Sequence, residues 1–149
     1  MNERTALASP LAKERLRLWL DLLRVTRGVE AELRGRMRDA FGVSLSRFDA
    51  MAALHRAAPR PLRMGELAAA LMVSGSNVTA LIDRLVADGM VQREPVPGDR
   101  RAATVALTDA GAREFERMAA IHAVWVDELF DGLDHETIAL ARRALAEVE

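Results

Sequence analysis

The chain contains no cysteine and no tyrosine. Without cysteine there can be no disulfide, no thiolate nucleophile and no cysteine-based redox switch. Aromatic residues are scarce, at 4% of 149 positions, so Ala, Leu, Val and Met must supply most of a core drawn from the 50% that is hydrophobic. No apolar run approaches the ~18 uninterrupted residues that a membrane-spanning helix needs. Lys13, Glu14, Arg15 and Arg17 interrupt the region where a signal peptide would carry its apolar segment. The expectation is therefore a cytoplasmic protein with no membrane association.

A charge excess of one sign is also missing. There are 21 Lys/Arg against 22 Asp/Glu, for a net charge of −1, which is not the strongly basic balance of many nucleic-acid binders. The distribution is uneven, however. Residues 1–72 hold 13 basic against 8 acidic side chains, and residues 73–149 hold 8 against 14. Any contact with phosphates must come from a focused surface, and two copies of that surface would compensate for weak bulk attraction. Catalytic motifs are absent as well. His55, His122 and His135 are not spaced to chelate a metal from one helix face, and there is neither a glycine-rich phosphate loop nor a nucleophile elbow. No enzyme activity, metal or cofactor is expected.

At 149 residues the chain is one domain's worth. Ser9-Pro10 opens a helix that runs to about residue 40, with Gly28 and Gly35 weakening its middle and Gly42 placed to end it. Leu16, Trp19, Leu20, Leu23 and Arg24 share one side, followed by Leu33, Met37 and Phe41. Ser46 is expected to open a second helix that ends before Pro59 and Pro61. Residues 62–72 read as a short amphipathic helix, followed by a turn at Met72-Val73-Ser74. Residues 75–88 read as another helix ending at Gly89. In it Val78, Leu81, Ile82 and Leu85 fall at i, i+3, i+4 and i+7, a stripe facing a core. Residues 91–96 and 102–107 are β-prone and flank a Pro-Gly-Asp turn. A long helix over 109–130 and a last helix capped by Asp134 complete the chain. Both chain ends carry more apolar stripe than one small domain can cover, which points to intermolecular packing.

The pattern over 62–111 is a helix–turn–helix followed by an arginine-tipped hairpin, suited to placing a helix in one DNA groove and a hairpin in the next. Ser74 sits where an N-cap belongs, at a helix end that also favours phosphate. Ser76, Asn77, Thr79 and Ala80 are small or amide side chains able to approach base edges in the major groove. Arg84 is placed to anchor a phosphate. Arg100 and Arg101 at the hairpin tip suit a narrow minor groove, and Asp99 is positioned to pair with Arg101 and hold the tip rigid. Each feature alone is also compatible with an ordinary solvated surface.

Gly89-Met90-Val91-Gln92-Arg93, then Asp99-Arg100-Arg101, then Leu107-Thr108-Asp109-Ala110-Gly111 strongly resemble the multiple-antibiotic-resistance regulator (MarR) family. Leu67-Ala68, Val78-Thr79, Ile82-Asp83-Arg84-Leu85 and the segment 45–54 fit the same pattern, so the resemblance covers most of the chain. It implies a mainly α winged helix–turn–helix: a three-helix core plus a two-stranded β-wing, with N- and C-terminal dimerisation helices. The whole of 1–149 would be a single domain of this type, with dimerisation helices over about 9–42 and 112–149 and a DNA-binding lobe over about 45–111. The implied function is a ligand-responsive repressor that binds a palindromic site on double-stranded DNA as a homodimer. The resemblance also implies a small aromatic or anionic effector, for which Trp19, Arg24, Arg27 and His55 are candidate contacts; Trp19 as dimer core, surface arginines and a packed His55 are the alternative. Two other functions stay open: a winged-helix protein-interaction module without specific DNA binding, and a nonspecific DNA coater.

Overall fold

The computed structural model describes residues 9–72 and 75–148, and of Gly75 and Ser76 the backbone alone. Helix α1 spans Pro10–Phe41. The Ser9 hydroxyl accepts the Ala12 amide at 3.0 Å, Pro10 supplies a preset φ, and Gly42 closes the helix in the left-handed region at φ 63°. The helix is continuous through Gly28 and Gly35. Only Leu33 and Met37 are buried on it, while Leu11, Leu16, Leu18, Trp19, Leu20 and Val25 are exposed.

Helix α2 spans Leu45–Ala57. Its cap is Ser44, which accepts the Arg47 amide at 3.2 Å, and not Ser46 as expected. The helix starts one turn position earlier because Ser44 is the residue with extended backbone, φ −71° and ψ 149°. Phe48, Met51 and Leu54 face the core.

The expected helix from residue 62 divides into two elements. Leu62–Arg63 form a short strand β1, and helix α3 occupies Met64–Leu71. Beyond them lie α4 (Gly75–Ala87), β2 (Val91–Val96), β3 (Asp99–Leu107), α5 (Asp109–Leu129) and α6 (His135–Ala146). The sheet is therefore three-stranded, in the order β1-β3-β2: the expected two-stranded wing, β2 and β3, with β1 added at its edge. Strand β1 pairs Leu62 with Val105 and Arg63 with Thr104 along the free edge of β3, which satisfies backbone groups that a bare edge would expose. Burial of Leu62 secures the pairing. Strand β3 also begins three residues earlier than expected, at Asp99, with a register irregularity at Pro95/Val96.

In α4, Val78, Ile82 and Leu85 are fully buried and Leu81 packs against the same cluster. One core joins them to Met37, Met51, Leu67, Val105, Phe115 and Met118, so it receives the end of α1 and the start of α5. Rings from α2 and α5 pack against one another: His55 is tilted against Phe115 at 4.8 Å, Phe115 is tilted against Phe48 at 5.4 Å, and Phe48 stacks on His122 at 4.6 Å. Farther along α5 the apolar residues Ile121 and Val124 are exposed, and α6 buries none of its side chains.

A second set of contacts ties the wing to the helices on either side. The Gly89 amide donates to Val86 and the Met90 amide to Leu85, with Gly89 at φ 74° closing α4. The Met90 carbonyl accepts the Thr108 amide at 3.0 Å. The Thr108 hydroxyl donates to the Gly89 carbonyl at 2.7 Å and accepts the Gly111 amide at 3.0 Å, capping α5. A Cβ on Gly111 would fall 1.9 Å from the Met90 carbonyl oxygen, whereas one on Gly28 would meet nothing within 4 Å.

The two glycines therefore respond oppositely to the same change. Gly111→Ala should destabilise the protein by about 1–3 kcal/mol through overpacking against backbone. Gly28→Ala, in an open helix interior, should stabilise it by up to ~1 kcal/mol. Urea unfolding of both variants checks this, and a Gly111→Ala protein as stable as the parent would contradict the close approach.

Candidate nucleic-acid interface

Ser74 lies outside the described residues, as does the side chain of Ser76. The other expected contact residues are all exposed. Asn77, Thr79, Ala80 and Arg84 lie on α4, and Asp99, Arg100 and Arg101 lie at the start of β3. The apolar stripe of α4 is anchored in the core, which turns these residues outward.

Those on α4 border two different cavities. Asn77, Ala80 and Arg84 line a cavity of about 520 Å³ that reaches across to Glu30 and Arg34 of α1 and to Arg47 and Asp49 of α2. Thr79 lines a different groove of about 620 Å³, toward the wing, with Arg63, Arg93 and Arg101. At 100° per residue, positions 77 and 79 differ by about 200° around the axis, so both cannot face the same wall.

The hairpin tip is braced, though not as an ion pair. The Asp99 carboxylate accepts the Arg101 backbone amide at 3.0 Å, which leaves the guanidinium outside the brace. Other acids on this side are also engaged. Asp83 on α4 accepts from Arg93 on β2 at 2.7 Å, which ties the helix to the wing. Glu66 accepts the Arg63 amide at 2.8 Å and an Arg60 guanidinium N–H at 3.1 Å. These bonds, the backbone one foremost, hold its carboxyl below the usual carboxylate range. Among the described residues Arg63, Arg84, Arg100 and Arg101 carry no ion pair. Four cations without an ion pair among the described residues thus border the exposed side of α4 and the wing, although the chain as a whole is slightly acidic. From the sequence, Arg63 falls in a basic link of Arg56, Arg60 and Arg63 before the helix–turn–helix and receives no contact role, and Arg93 reads as an ordinary strand position.

The four candidate effector contacts are dispersed. Trp19 is half-exposed on α1, 14 residues before the first buried position Leu33, which is about 21 Å of helix. Arg24 pairs with Asp21 on its own helix at 2.8 Å, and Arg27 is exposed. His55 packs on Phe115, with its Nε2 3.4 Å from Glu116. None of the four lines either of the two large cavities. Among the described residues there is no group of three or more His, Asp or Glu placed to hold a metal, and no helix long and apolar enough to cross a membrane.

Comparison with known proteins supplies an independent finding. A profile of the MarR family matches residues 41–102. The regulator PecS of Dickeya dadantii is 31% identical over 110 residues, which is 73% of this chain and 66% of PecS. Of the curated relatives it matches first, the chain spans from 47% to 66% of the length. A MarR family transcriptional regulator of known structure from Silicibacter pomeroyi is 35% identical, with TM-score 0.78, covering 94% of this chain and 96% of that one. A cysteine-to-serine mutant of MarR from E. coli, solved in complex with operator DNA, superposes with TM-score 0.77 at 26% identity, over 94% and 99% of the two chains.

Burial at the α2–α5 contact generates a pH dependence. Desolvation pushes the His122 imidazole below its ordinary value of 6.5, with Asp49 opposing. Desolvation likewise pushes the Asp49 carboxyl above 3.8, with His122 opposing, Glu30 reinforcing and Arg56 opposing. A base with a lowered folded pKa binds fewer protons when folded, so its share of stability is present above 6.5 and is lost as pH falls through the folded pKa. Asp49 acts in the opposite sense, losing stability as pH rises above 3.8. Thermal melts should show stability falling below about pH 6.5, with a shallower fall in His122→Gln. An identical pH profile in the variant would contradict this assignment.

Proposed function

The chain belongs to the MarR family of transcriptional regulators, and from that membership we propose that it is a sequence-specific, non-catalytic DNA-binding regulator acting in the cytoplasm as a homodimer. The observation that carries this reading is the set of arginines without an ion pair among the described residues, Arg84, Arg100 and Arg101, on an exposed helix and hairpin tip where Asp83 and Asp99 are already bonded. In this reading α4 enters a major groove, with Ser76, Asn77, Thr79 and Ala80 at base edges and Ser74 and Arg84 at phosphates. Arg100 and Arg101 enter the adjacent minor groove, with Asp99 as brace.

The homodimer is supported by apolar surface left without a partner at both ends. On α1 this is Leu16, Trp19 and Leu20; near and on α6 it is Leu133, Leu140 and Leu145. A twofold dimer presents two recognition helices to half-sites about one helical turn apart. Repression follows if such a dimer occupies promoter DNA and excludes other proteins. We further propose a small anionic or aromatic effector. The cavity of about 520 Å³ suits it better than the dispersed quartet Trp19, Arg24, Arg27 and His55, because one space is lined by Arg34 and Arg84, which carry no ion pair among the described residues, beside Glu30 and Asp49, while Arg47 is paired with Asp88. A ligand there would lie against α4 itself and bias one of two helix positions.

Fluorescence anisotropy against the duplex upstream of the chain's own gene, and against a scrambled duplex at ~150 mM salt, tests the reading. Saturation at two protomers per site with preference for the first duplex is expected. Equal binding to both would indicate a nonspecific coater, and binding to neither would favour the protein-interaction module. With a duplex that is bound, Arg101→Ala should cost about 1–3 kcal/mol of affinity, and unchanged affinity would remove the wing from the mechanism. Asn77→Ala should change sequence preference more than overall affinity; a uniform loss across sequences would make it a backbone contact.

A further inference from the structure

We infer that the groove between α3, α4 and the wing holds a backbone phosphate, with Arg63 as its cation. This rests on the DNA-binding reading above and adds a residue and a ligand class to it.

The argument begins with where the DNA strand must run. If α4 occupies the major groove and the hairpin tip the neighbouring minor groove, the sugar-phosphate ridge separating those grooves has to pass between the two elements. The space between them is the groove of about 620 Å³, with Thr79 of α4 on one wall and Arg101 of β3 on the other. Arg63 and Gly65 line its end at the β1–α3 junction. Gly65 brings no side chain, and a Cβ placed on it would meet nothing within 4 Å, so this end is open. The first backbone amides of α3 have no carbonyl partner within the helix and favour negative charge.

Charge bookkeeping in the groove singles out Arg63. Arg93 is neutralised by Asp83 at 2.7 Å. Glu66, the acid of the groove, is held by Arg60 and by the Arg63 backbone amide. Of the arginines lining the groove, Arg63 and Arg101 carry no ion pair among the described residues. Arg101 is assigned to the tip. Arg63 stands on a strand fixed by its pairing with Thr104, so its position follows the wing and not the mobility of a free loop. A phosphodiester, with bidentate oxygens and one negative charge, matches that guanidinium.

The test uses a duplex selected by the wild-type chain from a random pool, with a scrambled duplex beside it. Arg63→Ala should weaken binding to both by the same factor, about three- to tenfold at physiological salt, and reduce the salt slope by about 1. Arg63→Lys should keep the slope. Replacing single phosphates of the duplex by neutral methylphosphonates should reveal one position at which the wild type loses affinity and Arg63→Ala loses no more. Circular dichroism melts of both variants separate misfolding from lost contact. An unchanged slope in a folded Arg63→Ala protein overturns the inference while leaving the DNA-binding reading intact, as does an altered sequence preference. A wild type that binds no duplex from the pool overturns both.

Discussion

The peptide at Met90 is the point on which the rest of the geometry depends. Its amide ends α4, its carbonyl accepts the first amide past β3, and Gly111 of α5 packs directly on that carbonyl. Thr108 completes the junction by bonding Gly89 on one side and Gly111 on the other. Helix α4, the wing and α5 thus meet within a few residues. This gives the Gly89-Met90 and Thr108…Gly111 motifs a physical reason: the first supplies a left-handed helix end, the second a cap and a side chain small enough for contact with backbone.

From that junction the electrostatics of the outer surface follow. A net charge of −1 gives the whole molecule no long-range pull on DNA, so local compensation decides what a polyanion meets. Of the acids near α4 and the wing, Asp83 is paired with Arg93, Glu66 with Arg60 and a backbone amide, and Asp99 accepts the Arg101 amide, while the Glu94 carboxylate on β2 carries no ion pair among the described residues. Exposed pairs of this kind add little to stability. Their effect here is on charge placement, since Arg93 and Arg60 offset the carboxylates of Asp83 and Glu66, and Arg63, Arg84, Arg100 and Arg101 are left without an ion pair among the described residues.

Much of this was legible in the sequence. The stripe Val78, Leu81, Ile82 and Leu85 placed α4 and its outward face, and Ser9, Gly42, Asp134 and the Pro-Gly turn marked their elements as caps and turns do. What was not legible depended on partners distant in the chain. Leu62 and Arg63 become a strand because β3, some forty residues later, offers an unpaired edge. Ser44 and Ser46 are equal candidates as caps until the packing of Phe48 sets where α2 begins. The division of Asn77 from Thr79 between two cavities was computable from helical periodicity, but which walls they face required the positions of α1 and the wing. Arg63 was hidden for the same reason, its importance arising only from the groove that β1, α4 and β3 enclose.

The same long-range contacts explain how a change far from the wing can reach it. Helices α1 and α5 each have one end in the core and the other outside it. They are joined by the Arg36–Glu128 pair at 2.6 Å and by Phe41 against Trp125 at 5.9 Å. Because α5 begins on the Met90 carbonyl, a tilt of α5 relative to the core cannot leave Met90 in place without opening the contact at Gly111. That contact has no slack, since even a single added carbon would overlap it. A shift of α5 that kept this contact closed would carry the Met90 carbonyl, and with it the end of α4 and the base of the wing. A close backbone contact behaves as a lever bearing where a flexible side-chain contact would behave as a cushion.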